Sequence, residues 1–141
     1  KNILSEFSCK KNSDVERFLK EQSIEFTKKN QSVTYLVCSN KDAALVGYFT
    51  LSAYLIAQLG KNYTDGLNKR ITGEQLLQAA IDTIKELQYM AGGMVIFLEA
   101  EDKECLMKFY EDESKFKRFA TKETKQDDDE PHTLIQLLKV M

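Results

Sequence analysis

The stretch Glu74–Met90 constrains the fold most, because it has the pattern of a long helix with one apolar face. Thr72, followed three residues later by Gln75, fits a capping box and predicts that the helix begins at Gly73. The apolar positions follow the 3.6-residue period, at Leu76, Leu77, Ala80, Ile81, Ile84 and Leu87. The helix therefore needs a second layer of structure against which to bury that face.

The turn that precedes this helix has the features of an anion-binding site. The first N–H groups of a helix have no partner within it, and the helix dipole is positive at that end. Cationic side chains beside the turn add positive charge, and a glycine permits close approach of the backbone. The residues predicted to bind a pyrophosphate are Asn68, Lys69, Arg70, Ile71, Thr72 and Gly73. They also fit an ordinary capped surface helix with two solvated cations.

The remaining segments predict an α/β protein. A continuously apolar run such as Met94–Ala100 is typical of a central strand that is covered on both faces. Ser13 and Glu16 fit a second capping box. The predicted order is a strand at Ile3–Phe7, a helix at Asp14–Lys29, strands at Val33–Ser39, Ala44–Ser52 and Ala53–Leu59, the long helix, the strand Met94–Ala100, a helix at Lys103–Asp112, and strands at Phe116–Thr121 and Thr133–Val140.

Composition and charge exclude several classes of protein. The length of 141 residues predicts a single domain, 1–141. A net charge of −2 argues against sequence-independent binding of nucleic acid over a broad surface. The three cysteines are widely spaced and lack the close pairs of a metal site, and the acidic run 127–130 is typical of a solvated loop. We therefore predict no metal site. Because no signal segment or apolar stretch of about 20 residues is present, we expect a cytoplasmic protein without a membrane partner.

The order of elements and two motifs resemble the GNAT superfamily of N-acetyltransferases. The acetyl-coenzyme A turn of that family reads Gln/Arg-x-x-Gly-x-Gly/Ala, and the pattern falls on Asn68 to Gly73 with Ile71 at the middle glycine. A later helix of the family ends in Phe-Tyr, as in Phe109-Tyr110 here, although Ser114-Lys115 stands where glycine is usual. The resemblance implies a mixed, largely antiparallel sheet, split near its centre to admit acetyl-coenzyme A, with helices on both faces.

The resemblance also implies acetyl transfer from acetyl-coenzyme A to a primary amine by direct attack in a ternary complex. Tyr110 would donate a proton to the departing thiolate, since a phenol of pKa ~10 is protonated at neutral pH. Glu99 or Glu101, at the end of a strand, are candidate general bases. Leu59 and Gly60 would offer backbone groups near the acetyl group, although both also fit plain sheet pairing.

Three segments, Phe7–Leu19, Thr34–Val37 and Val46–Ser52, look like the GNAT branch of toxins that acetylate aminoacyl-tRNA. A small amine, a protein amine and aminoacyl-tRNA all remain possible acceptors. The cations that could form a local basic surface are Lys10, Lys11, Lys28, Lys29, Lys61, Lys69 and Arg70. The alternative is a non-catalytic module that binds acyl-coenzyme A or another protein, and the departure at Ile71 motivates it.

Overall fold

The computed structural model describes residues 2–53, 55–91, 95–124 and 132–141. The chain forms two compact units, Lys1–Glu86 and Leu87–Met141. The prediction of one domain over 1–141 stays a prediction. Within the described residues, no helix is both long and apolar enough to cross a membrane.

The first unit contains three antiparallel strands: β1 (Val33–Cys38), β2 (Leu45–Ser52) and β3 (Leu55–Lys61). The central strand β2 is buried along nearly its whole length, because it has a strand on either side and side chains packed on both faces. Phe49 on β2 stacks on Tyr35 with ring centroids 5.1 Å apart. The prediction that the third strand begins at Ala53 is wrong, because Ala53 has a φ of 51° and lies in the turn.

Helices complete the first unit. A continuous helical stretch consists of α1 (Ser13–Arg17), a π-helical segment at Phe18–Gln22, and α2 (Ser23–Lys28). The long helix α3 spans Gly73–Ala91, as the apolar period predicts, and its residues up to Glu86 belong to the first unit. Its buried face includes Leu76, Leu77, Ala80, Ile81 and Ile84.

Two local predictions at the start of the chain are wrong. The segment predicted as a strand at Ile3–Phe7 is a 3₁₀ helix, Ile3–Glu6, because the Asn2 side chain accepts a hydrogen bond from the Leu4 N–H over 3.1 Å and caps it. The first helix is capped by Asn12, whose side chain accepts from two backbone N–H groups, and not by Ser13. The Glu16 carboxylate accepts instead from the Cys9 N–H over 2.8 Å.

A buried amide ties the start of the β3–α3 connection to the rest of the first unit. The Asn62 Oδ1 accepts hydrogen bonds from the N–H groups of Ser8, over 2.9 Å, and Thr64, over 3.1 Å. Its Nδ2 donates to the Leu45 carbonyl over 2.8 Å. Because a buried amide is costly unless its groups are paired, these bonds fix the chain where it leaves the sheet toward α3.

The second unit contains three strands in the order β4, β6, β5, paired antiparallel. They are β4 (Val95–Glu101), β5 (Lys117–Thr124) and β6 (His132–Val140), with the helix α4 (Glu104–Met107) and a π-helical segment at Lys108–Glu113 between β4 and β5. The strand predicted at Phe116–Thr121 begins one residue later and ends at Thr124. Met94 and the acidic run 127–130 lie outside the described residues.

The α/β class and the largely antiparallel pairing are confirmed. The described ranges contain six strands and four α-helices, and all the strand pairings given above are antiparallel. The central split and the placement of helices on both faces stay predictions.

Candidate functional site

The connection between β3 and α3 carries the predicted phosphate turn. The 3₁₀ segment Thr64–Arg70 is interrupted by a kink at Asp65 and Gly66, whose φ values of 49° and 73° lie in the left-handed region. Ile71 then has φ −142° and ψ 140°. This extended conformation suits a β-branched residue, so the backbone at Ile71 does not require the glycine that the family pattern has there.

The capping box at the start of α3 is confirmed. The Thr72 N–H donates to Gln75 Oε1 over 2.9 Å, and the Gln75 N–H donates to Thr72 Oγ1 over 3.0 Å. The Leu76 N–H donates to the Thr72 carbonyl over 3.1 Å, which closes the first turn. The N–H groups of Gly73 and Glu74 are therefore the ones that this helix start leaves without an intrahelical partner. Together with the helix dipole they can bind an anionic group.

The two cations of the turn differ in their surroundings. The Arg70 Nη1 donates to Asp42 Oδ2 over 2.7 Å, with both side chains about half exposed. The hydrogen bond from Arg70 lowers the pKa of the Asp42 carboxyl below its ordinary value. Lys69 is exposed. Arg70 is thus held beside the turn by a carboxylate with which an anionic ligand would compete.

The predicted backbone contacts on β3 lie in regular sheet pairing. Leu59 is opposite Phe49, and Gly60 is opposite Tyr48. A Cβ at position 60 would collide with the Val15 side chain of α1, so close packing alone accounts for the glycine. Their role toward a cofactor stays a prediction.

Tyr110 lies in the π-helical segment of the second unit. Its ring meets those of Phe109 and Phe116 edge to face, with centroids 5.0 and 6.1 Å away. Burial raises the pKa of the Tyr110 phenol to about 12. The hydroxyl therefore stays protonated across the neutral range, which is the state that a proton donor needs.

Two cationic side chains hold the segment that carries Tyr110. Arg118 donates to both carboxylate oxygens of Glu111, over 3.3 and 3.2 Å. Lys139 donates to the Ser114 carbonyl over 2.9 Å and lies 5.7 Å from the centre of the Phe116 ring. Lys115 has a φ of 61°, so the left-handed conformation occurs in the dipeptide where the family has glycine.

The two candidate bases already have partners within the second unit. The Glu99 Oε1 accepts from Gln136 Nε2 over 2.8 Å and from Lys122 Nζ over 3.5 Å. Glu101 forms an ion pair with Lys103. A general base must accept a proton from the acceptor amine, and both carboxylates already accept contacts from neighbouring side chains. The base role of both residues stays a prediction.

Lys103 is also the N-cap residue of α4 and makes no capping hydrogen bond with its side chain, so the helix predicted to begin at Lys103 begins one residue later, at Glu104. The sequence did not indicate that Asp42, Arg118 and Lys139 contact the candidate site. Each does so through a residue distant from it in the sequence or through a bond that no local motif predicts. In the part of the chain that the structure describes, no three His, Cys, Asp or Glu residues are grouped to hold a metal ion.

Comparison with known proteins identifies the fold. No family model matches the chain, and no curated protein matches it. Among solved structures, a mutant of the toxin AtaT bound to the C-terminus of the antitoxin AtaR and acetyl-CoA has a TM-score of 0.69 and 17% identity, over 97% of this chain and 84% of the toxin chain. AtaT complexed with acetyl-methionyl-tRNAfMet has a TM-score of 0.64 and 15% identity, over 92% and 85%.

A probable acetyltransferase from Staphylococcus epidermidis ATCC 12228 has a TM-score of 0.65 and 16% identity, over 98% of this chain and 88% of its own. These likenesses extend over nearly the whole chain, while the identities are low. The chain therefore has the fold of the GNAT acetyltransferases that its motifs resemble.

Proposed function

We propose that this chain is an N-acetyltransferase that transfers the acetyl group of acetyl-coenzyme A to a primary amine. The observation that carries the proposal is the start of α3, where Gly73 and Glu74 leave two N–H groups without intrahelical partners. A toxin of the same fold has been solved with acetyl-CoA. The fold and the donors together support binding of the same cosubstrate here.

The turn would hold the pyrophosphate of the cosubstrate. The N–H groups of Gly73 and Glu74 supply hydrogen bonds and the helix dipole supplies partial positive charge. Lys69 and Arg70 supply full charges, although Arg70 must be shared with Asp42. The backbone at Ile71 is extended, so isoleucine in place of the family's glycine does not strain the turn. This counts in favour of a working enzyme over the alternative, a module that binds acyl-coenzyme A without turnover.

Tyr110 would act as the proton donor. The thioester supplies an activated acetyl group and a thiol leaving group, and the amine attacks it directly. The phenol remains neutral because burial raises its pKa to about 12, and it can therefore give a proton or a strong hydrogen bond to a developing thiolate. Aromatic contacts with Phe109 and Phe116 restrict the ring and so fix the direction of the hydroxyl.

Two carboxylates of the second unit are the candidates for the general base. Glu99 is half-buried, and Gln136 and Lys122 fix its carboxylate. Glu101 is paired with Lys103. Two side chains hold the Glu99 carboxylate and one pairs with Glu101, so we retain Glu99 as the first candidate and Glu101 as the second.

Aminoacyl-tRNA is one acceptor that fits the proposal, because AtaT has been solved with acetyl-methionyl-tRNAfMet. Lys11 lies 5.6 Å from the centre of the Tyr63 ring, and the Tyr63 N–H donates to the Ser8 carbonyl, which holds the segment before Lys11 beside Tyr63. Cations next to an aromatic ring suit a single-stranded RNA end. Small amines and protein amines remain alternatives.

Release of coenzyme A thiol in the presence of an amine panel and of charged tRNA tests the proposal. An enzyme releases thiol only with an acceptor, whereas a binding module takes up acetyl-coenzyme A and releases none with any acceptor. Acetylation of charged tRNA should fall steeply with added salt, while reaction with a small amine should change little. A joint replacement of Lys10, Lys11, Lys28 and Lys29 by alanine should weaken only the reaction with tRNA.

A further inference from the structure

The π-helical segment Lys108–Glu113, which carries Tyr110, is closed at its end by backbone hydrogen bonds. The Phe116 N–H donates to the Tyr110 carbonyl over 2.9 Å, and the Ser114 N–H donates to the Phe109 carbonyl over 3.0 Å. Turns of π-helix are rare and occur frequently at functional sites. The direction of the Tyr110 ring therefore depends on how firmly this end of the segment is fixed.

Arg118 on β5 contacts this segment directly. Its Nε and Nη2 donate to the two carboxylate oxygens of Glu111, the residue after Tyr110, over 3.3 and 3.2 Å. Its Nη2 also lies 4.0 Å from Asp102 Oδ1, which precedes α4. A planar guanidinium that donates to both oxygens of one carboxylate restricts direction as well as distance. Arg118 thus connects the two ends of the helical stretch between β4 and β5.

Lys139 on β6 contacts the residues that follow the segment. Its Nζ donates to the Ser114 carbonyl over 2.9 Å and lies 5.7 Å from the centre of the Phe116 ring. The Phe116 side chain is buried, and its ring meets the Tyr110 ring edge to face. Because an ammonium is attracted to the face of an aromatic ring, this contact restricts the Phe116 ring. Lys139 therefore acts on Tyr110 through Phe116.

We propose that Arg118 and Lys139 are positioning residues that fix the direction of the Tyr110 hydroxyl, an inference that rests on the proposed function. The side chains of Arg118 and Glu111 are 42% and 31% exposed, and ion pairs exposed to this degree contribute little to stability. In contrast, a displacement of a reacting group by about 1 Å can lower a rate by about 10²-fold. The contact between Arg118 and Glu111 therefore matters more for orientation than for folding.

Kinetic measurements with the acceptor that reacts best test the proposal. We expect Arg118→Gln to lower kcat by about tenfold or more and to change the Kd for acetyl-coenzyme A by less than about twofold, because only the proton donor is displaced. Lys139→Met keeps an apolar stem against the Phe116 ring, removes the ammonium and should lower kcat in the same way. Lys117→Gln removes a charge from the exposed neighbour of Arg118 on β5, and this matched control should retain the kcat of the wild type.

A double-mutant cycle separates positioning from a general structural effect. The hydroxyl is absent in Tyr110→Phe, so adding Arg118→Gln to that variant should cause no further fall in kcat. An equal fall with and without the Tyr110 hydroxyl would overturn the proposal. An unchanged kcat in Arg118→Gln or in Lys139→Met would overturn the role of the residue concerned. Urea unfolding of each variant verifies that it is folded.

Nuclear magnetic resonance of ring-labelled tyrosine tests the same point without turnover. The Tyr110 signal is identified as the one that disappears in Tyr110→Phe. It should shift or broaden in Arg118→Gln and stay unchanged in Lys117→Gln. An unmoved signal in Arg118→Gln would overturn the role of Arg118 even in an inactive protein. Failure of the wild type to release thiol with any acceptor would instead reject the proposed function, and the Tyr110 signal would still decide whether Arg118 fixes the ring.

Discussion

The Arg70 guanidinium and the Asp42 carboxylate form a hydrogen-bonded ion pair of 2.7 Å beside the start of α3. The pair joins the turn proposed to bind pyrophosphate to the loop between β1 and β2. Asp42 also accepts from the Ala44 N–H over 3.2 Å, so its position is fixed independently of Arg70. The carboxylate therefore both places Arg70 near the proposed site and opposes the binding of an anion.

We expect Asp42→Asn to strengthen acetyl-coenzyme A binding by about two- to fivefold, since it removes a negative charge and frees Arg70. Asparagine keeps the oxygen that accepts from the Ala44 N–H. Asp14→Asn is the matched control, because Asp14 forms a comparable exposed ion pair with Arg17 on α1. Titration calorimetry at low salt measures both variants. Weaker binding by Asp42→Asn would mean that Asp42 serves the site by orienting Arg70.

We predict that Tyr110→Phe lowers kcat by about 10²-fold or more and leaves the Kd for acetyl-coenzyme A nearly unchanged. The variant keeps the ring contacts with Phe109 and Phe116 and removes only the hydroxyl. Tyr89→Phe makes the same chemical change on an exposed ring and should have no effect. Turnover equal to that of the wild type would assign Tyr110 to packing alone.

The raised pKa of Tyr110 also predicts a stability change in alkali. The unfolded phenol ionises near its ordinary value of 10, whereas the folded one ionises at about 12. Between these values the folded state holds a proton that the unfolded state has lost, so stability falls as the pH rises from about 10 toward 12. Tyr110→Phe should reduce this fall, as measured by urea unfolding at several alkaline pH values. An identical fall in the variant would contradict the burial of the phenol.

Lys115→Gly should raise the free energy of unfolding by about 0.5–1 kcal/mol. The φ of 61° at Lys115 is unfavourable for a residue with a Cβ and is allowed for glycine. Lys115→Ala is the matched control, because it removes the side-chain contact with the Asp112 carbonyl and keeps the backbone strain. Denaturant unfolding compares the two, and a glycine variant no more stable than the alanine variant would show that the strain is negligible.

Local patterns predicted the parts of the fold that local interactions determine. The period of apolar residues in α3 and the reciprocal bonds of Thr72 and Gln75 act within a few residues, and both are confirmed. The prediction at Ile3–Phe7 failed because a short apolar segment is equally compatible with a strand and a single capped turn. The turn at Ala53 was not predicted, because Ala53 lies within a long apolar run and alanine is not a residue type that indicates a turn with positive φ.

The candidate site depends on contacts that the sequence does not mark. Asp42 reaches Arg70 across 28 positions, and Gln136 reaches Glu99 across 37. Such partners become visible only when the strands and loops are folded. The sequence thus indicated which residues are candidates for the site. It could not predict which side chains would form hydrogen bonds or ion pairs with them.

Calorimetric titration of acetyl-coenzyme A into the wild type, Gly73→Ala and Gly73→Pro tests the central claim most directly. Gly73 is the first residue of α3, where proline is tolerated because its missing N–H is not used by the helix. The alanine variant keeps the N–H and should bind nearly as well as the wild type. The proline variant lacks one of the two proposed donors and should bind about tenfold more weakly or worse, with its helix content retained. Equal affinity of all three proteins would contradict a pyrophosphate site at the start of α3.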